Sequence, residues 1–135
     1  MPDFDLKFMA TLATAYAGEP VKVIEDYVPL ALGEVTWEDG LLIKLHPVLH
    51  GPERTNLLSI FLHEVGHIKC GHVYRKNVVK YDTIETYSRM KHVPLDTLKT
   101  WAKKRENEAW EWAKKEEARL ETEHPGFGSL LVMGG

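Results

Sequence analysis

The stretch Asn56-Leu57-Leu58-Ser59-Ile60-Phe61-Leu62-His63-Glu64-Val65-Gly66-His67-Ile68 decides how this chain reads. An α-helix turns about 100° per residue, so His63 and His67 fall on one face about 40° apart. Phe61, Val65 and Ile68 lie on the opposite side, flanked by Leu57, Leu58 and Leu62. One face therefore packs on a core while the other presents two imidazoles, which can share a tetrahedral cation. Glu64 falls about 60° further round, beside the position such a cation keeps open. H-E-x-x-H at this spacing is the ligand and base pattern of zinc hydrolases. By ordinary residue frequencies it arises in roughly one chain of this length in a few hundred. The plain alternative is a pair of solvent-facing histidines on an amphipathic helix.

Outward from that helix the punctuation is clear. The helix is predicted from Glu53 to Cys70, with Gly71 as the left-handed residue that ends it. The preceding His46-Pro47-Val48-Leu49-His50-Gly51-Pro52 reads as a loop, because its prolines block regular continuation. Gly33–Trp37 and Leu41–Leu45 flank Glu38-Asp39-Gly40, a hairpin signal. Val21–Glu25, after Pro20, reads as a third strand, and the three are expected to form a small antiparallel sheet. Phe4, Phe8, Leu12 and Ala15 predict a helix over 3–17, capped by Asp3 and stopped by Gly18. Residues 73–93 have no clear period and suggest a short helix and loop around Tyr81–Met90. From Pro94 a long helix is predicted, its stripe made by Leu95, Leu98, Ala102, Ala109, Ala113 and Leu120. The fold class is α+β, a three-stranded sheet packed on helices. Residues 1–124 are expected to form one domain and 125–135 a loose tail.

A chain of 135 residues can bury a genuine core. Its 44% hydrophobic and 27% charged residues are ordinary for a water-soluble globular protein. A net charge of −3 and a pI near 6.2 argue against a nucleic-acid or anionic-membrane surface. One cysteine excludes an internal disulfide and suits a reducing compartment. Met1-Pro2-Asp3-Phe4-Asp5 has neither a basic nor an apolar signal-peptide region, and no apolar run is long enough to span a bilayer. A cytoplasmic location is the expectation.

A catalytic zinc commonly takes three protein ligands and keeps one position for water. No histidine follows at the spacing H-x-x-G-x-x-H, so the metzincin pattern fails. His72, five residues beyond His67, comes too soon. The long helix offers Arg105-Glu106-Asn107-Glu108-Ala109-Trp110. From the centre of its apolar stripe, Glu106 lies about 60° away and Glu108 about 100° away. Helical phase favours Glu106, with Glu108 in reserve; the plain alternative is that these glutamates only solvate the helix. Cys70, seven residues beyond His63, shares the ligand face, but reads better as a small residue at the cleft wall.

H-E-V-G-H followed by Glu106-Asn107-Glu108-Ala109, an E-x-E-A segment on a second helix, resembles the ImmA/IrrE family of gluzincin-like metallopeptidases, over Phe61–His72 and Arg105–Ala113. The resemblance implies a minimal zincin-like domain, Zn2+ as cofactor, His63, His67 and Glu106 as its ligands, and Glu64 as general base. One departure stands out: where the family places Asn or Asp to steady a ligand histidine, this chain has Trp110. The function expected is a zinc-dependent metalloendopeptidase cleaving a specific intracellular protein, a repressor if the family's habit carries over. It would use no nucleic acid directly and no membrane. The alternative is a non-catalytic protein-binding module with a structural or vestigial zinc, for which the intact Glu64 has no use. A peptide is expected to add as a strand along Leu41–Leu45. Tyr74, Tyr81, Tyr87, His72 and His92 are all chemically able to stabilise an oxyanion.

Overall fold

Leu41–Leu45 is apolar at four of its five positions, and strands with apolar residues on both faces belong in the middle of a sheet. A computed structural model, which describes residues 3–4, 6–28, 31–50, 56–73, 89, 91–127 and 132–133, puts that strand there. Chain order is β1 (Asp3–Phe4), α1 (Leu6–Ala17), β2 (Val21–Glu25), β3 (Gly33–Trp37), β4 (Leu41–Leu45), a 3-10 turn (Pro47–His50), α2 (Leu57–Lys69), α3 (Leu95–Glu123) and β5 (Val132–Met133). The fold is α+β.

The main sheet runs β2-β4-β3. β3 and β4 form the predicted hairpin, paired from Trp37↔Leu41 to Gly33↔Leu45. Asp39 at φ 54° and Gly40 at φ 139° supply the turn. β2, however, pairs parallel to β4, from Val21↔Leu41 to Glu25↔Leu45. The sheet is mixed, which corrects the antiparallel expectation. The reason is where the β2–β3 connection passes. Asp26 N donates to Leu45 O at 3.0 Å while Gly33 also pairs with Leu45, so β2 ends and β3 begins at the same end of β4. The chain crosses that end and returns on the other side.

α1 buries Met9 and Ala13, with Phe8 and Leu12 half-buried and Ala15 exposed. Its inward face is thus one position round from the predicted stripe. The helix begins at Leu6 because Asp3–Phe4 pairs antiparallel with Val132–Met133. Thr14 Oγ1 accepts a hydrogen bond from Val21 N at 3.0 Å and ties α1 to β2. At the other terminus, buried Phe127 faces Phe8 with ring centroids 6.3 Å apart. The chain past His124, predicted as a loose tail, packs at Phe127 and pairs at Val132–Met133.

α2 and α3 form the scaffold of the site. α2 buries Leu57, Leu58, Phe61, Leu62, Val65 and Ile68, and α3 buries Leu98, Ala109, Ala113 and Leu120. Their backbones touch. A Cβ added to Gly66 would lie 2.7 Å from the Ala109 carbonyl oxygen and 3.2 Å from its Cα. α2 ends as predicted, with Gly71 at φ +74°. Gly71 N donates to Ile68 O at 3.1 Å and His72 N to His67 O at 2.8 Å, the paired bonds of a Schellman motif. That turn folds His72 back against His67. The predicted short helix around Tyr81–Met90 lies almost wholly outside the described residues, as does the segment 51–55. No helix among the described residues is long and apolar enough to cross a membrane.

Candidate metal centre

His63 and His67 project from the middle of α2 toward Glu106 on α3. His63 Nε2 lies 2.9 Å from Glu106 Oε2, His67 Nε2 lies 3.1 Å from Glu106 Oε1, and the two Nε2 atoms are 3.2 Å apart. Ligands held tetrahedrally at about 2.0–2.1 Å from a zinc ion stand about 3.3 Å from one another. The spacing and the N, N, O donor set therefore fit a divalent cation of that size, and these three side chains could hold one. Burial lowers the pKa of both histidines, against the opposing pull of Glu106, and the His63 ring adds to the effect at His67. Both imidazoles are thus held neutral, the form that ligates.

Glu64 lies between them in sequence and is 5% exposed. Burial first, then the Glu106 and Glu34 carboxylates, raise its pKa from 4.5 to about 8. The chain makes room for it with Gly33, where an added Cβ would come within 3.1 Å of Glu64 Oε2 and 3.0 Å of Ile60 Cγ2. The side chains open into a cleft of about 520 Å3. One wall is β3, through Gly33, Glu34 and Val35, and the other is α3, through Arg105, Glu106 and Trp110. β4 has neighbours on both sides, so the strand addition expected at Leu41–Leu45 is ruled out; of the two edge strands, β2 and β3, it is β3 that lines the cleft.

The outer contacts are those that sequence reasoning missed. Trp110 stacks on His63, ring centroids 4.1 Å apart and planes 27° apart. Its spacing of four from Glu106 puts both on one helix face, a signal present in the sequence but read only as a departure. His63 Nδ1 is buried without a hydrogen-bond partner among the described residues. His67 Nδ1, by contrast, meets His72 Nδ1 at 3.0 Å, and His72 Nε2 meets Glu108 Oε2 at 3.1 Å. Glu108, placed by helical phase toward solvent, is half-buried and reaches His72. Phase about the α3 stripe does not include the turn after α2, which brings His72 to Glu108. Cys70 is half-exposed and groups with His72 and Glu108, not with the three central side chains. Burial, then the Glu108 carboxylate, push its thiol pKa up. Of the described oxyanion candidates His72 lines the cleft, and His92 is exposed elsewhere. Tyr74, Tyr81 and Tyr87 lie outside the described residues.

Comparison with solved structures returns a metallopeptidase. The crystal structure of the metallopeptidase zymogen of Pyrococcus abyssi abylysin is similar at a TM-score of 0.40 and 20% identity, over 88% of this chain and 94% of that one. No protein-family model and no curated protein matches. The ImmA/IrrE resemblance rests on the residues quoted above.

Proposed function

We propose that this protein is a zinc-dependent metalloendopeptidase, with His63, His67 and Glu106 as the metal ligands and Glu64 as general base. One observation carries the proposal: two imidazole nitrogens and the two Glu106 carboxylate oxygens converge at 2.9–3.2 Å in a cleft that also holds a buried carboxyl. A bound zinc would act as a Lewis acid on the scissile carbonyl and on water. With a cation beside it favouring its carboxylate form, Glu64 would take the proton from the attacking water and deliver it to the leaving amine. An extended peptide pairs along the open edge of β3, which runs beside Glu64 at Gly33. His72 lines the cleft, but both of its ring nitrogens are engaged, by His67 and by Glu108, so it has no free N–H to offer an oxyanion. A purely structural zinc site has no use for Glu64, and burying an ionisable carboxyl is costly, which favours catalysis over a non-catalytic binding module. The substrate class is an intracellular protein with an unstructured segment, a repressor being the form that the family resemblance suggests.

Elemental analysis of protein purified without chelator is expected to find about one zinc per chain. Glu64→Gln should retain that zinc and lower cleavage of an unstructured peptide library by about 10²–10⁴-fold. No zinc uptake by the wild type, or undiminished cleavage by the variant, refutes the proposal.

A further inference from the structure

We infer that His72 and Glu108 are positioning residues, a relay that fixes the ring of His67 so that its Nε2 lone pair faces the metal position. The inference rests on the zinc site proposed above. Its basis is a count of protons along three side chains in line. His67 Nε2 stands in the ligand triangle, so the single proton of that neutral ring sits on Nδ1. Nδ1–H donates to His72 Nδ1 at 3.0 Å, which must then carry a lone pair. The proton of His72 is left on Nε2, where it donates to Glu108 Oε2 at 3.1 Å. A carboxylate only accepts, and it therefore sets the direction of the whole chain. With the direction reversed, the His67 proton would move to Nε2 and remove that nitrogen from the ligand set.

The backbone holds this line in place. The Schellman turn bonds His72 N to His67 O, so the two rings are carried by one rigid helix end. Glu108 stands two residues beyond Glu106, so α3 delivers both a ligand and the anchor of the relay. His63 is steadied differently, by the stack on Trp110 with its Nδ1 unpartnered among the described residues.

Cys70, His72 and Glu108 also form a second group able to hold a cation, their ligand atoms within 4.8 Å of one another. Proton counting sets the two uses against each other. A cation on His72 Nε2 would put the His72 proton on Nδ1, facing the Nδ1–H of His67 across 3.0 Å. Both sites could fill only if one ring gave up a further proton.

The test measures zinc affinity of the full chain by competition with a chromophoric chelator. Glu108→Ala and His72→Ala are each expected to weaken zinc binding by about 10–100-fold. Glu108→Gln, which keeps an acceptor oxygen, should recover most of the loss. Long-range proton–nitrogen spectra of the zinc-loaded wild type should show His67 protonated on Nδ1 and His72 on Nε2. That spectrum needs no variant, so a substitution that fails to fold leaves the inference open to refutation. Wild-type affinity in both alanine variants, or a His72 proton on Nδ1, overturns the relay while leaving the zinc site standing. A second metal equivalent with a cobalt–thiolate absorption band that Cys70→Ser abolishes also overturns it. A wild type that takes up no zinc overturns both.

Discussion

Replacing Glu64 by Gln should change how the metal-free protein responds to pH. In the folded chain the Glu64 carboxyl keeps its proton up to about pH 8, because burial and two neighbouring carboxylates oppose ionisation. In the unfolded chain it loses the proton near 4.5. Between those values the folded state holds one more proton than the unfolded state, so stability falls as pH rises. The contribution is fully present below about 4.5 and lost as pH climbs through about 8. The slope is about 1.4 kcal/mol per pH unit, and the whole span is worth on the order of 4–5 kcal/mol. His63 and His67 work in the opposite sense, since their lowered pKa values favour the folded state as pH rises through the histidine range. Both variants share that effect, and any constant offset from packing the amide cancels in the slope. Urea unfolding in chelator from about pH 5 to 8.5 should therefore show the wild type losing stability relative to Glu64→Gln as pH increases. A nearby divalent cation favours the carboxylate, so zinc should flatten the difference. Parallel curves for the two metal-free proteins would show that Glu64 is not held protonated.

Gly66→Ala forces a methyl to within 2.7 Å of the Ala109 carbonyl oxygen and must part α2 from α3. The expected outcome is a loss of about 1–3 kcal/mol in urea unfolding, together with weaker zinc binding. Trp110→Ala removes the stack on His63 and should cost zinc affinity about 2–10-fold, the equivalent of 0.5–1.5 kcal/mol, while Trp110→Phe retains most of it in chelator competition. Gly33→Val crowds Glu64 and should reduce peptide cleavage with zinc content unchanged. Phe127→Ala should destabilise by about 3 kcal/mol, the cost of emptying a buried aromatic site, whereas a residue in a loose tail would move the urea midpoint hardly at all.

The parts of this molecule that could be read from the sequence are those governed by a single local period or a single turn. His63, Glu64 and His67 lie on one face because α2 is a regular helix, and Gly71 and the Glu38-Asp39-Gly40 turn sit where their backbone needs predict. Glu106 comes within reach of both histidines, yet its side chain is 54% exposed against 41% for Glu108, so phase on the α3 stripe does not by itself separate the two. What escaped depends on two elements at once. The parallel pairing of β2 follows from a connection that crosses the end of β4, which no period within Val21–Glu25 records. The buried face of α1, Met9 and Ala13, is chosen by the core it joins on β2, β4 and α2, and Asp3–Phe4 pairs with Val132–Met133, at the far end of the chain. Glu108 finds His72 only because the turn after α2 rises beside α3, and a helical wheel drawn for α3 alone contains no trace of it.

Where Gly66 meets Ala109, two helices touch with no side chain between them that could change rotamer. The histidines are fixed to one rod and the carboxylate to the other, leaving the Glu106 side chain as the adjustable part. Cations differ in the distance they demand, about 2.0–2.2 Å from zinc to oxygen against about 2.3–2.6 Å for calcium. With the two helices in backbone contact, the 2.9–3.2 Å spacing of the His63, His67 and Glu106 atoms suits the shorter of these distances.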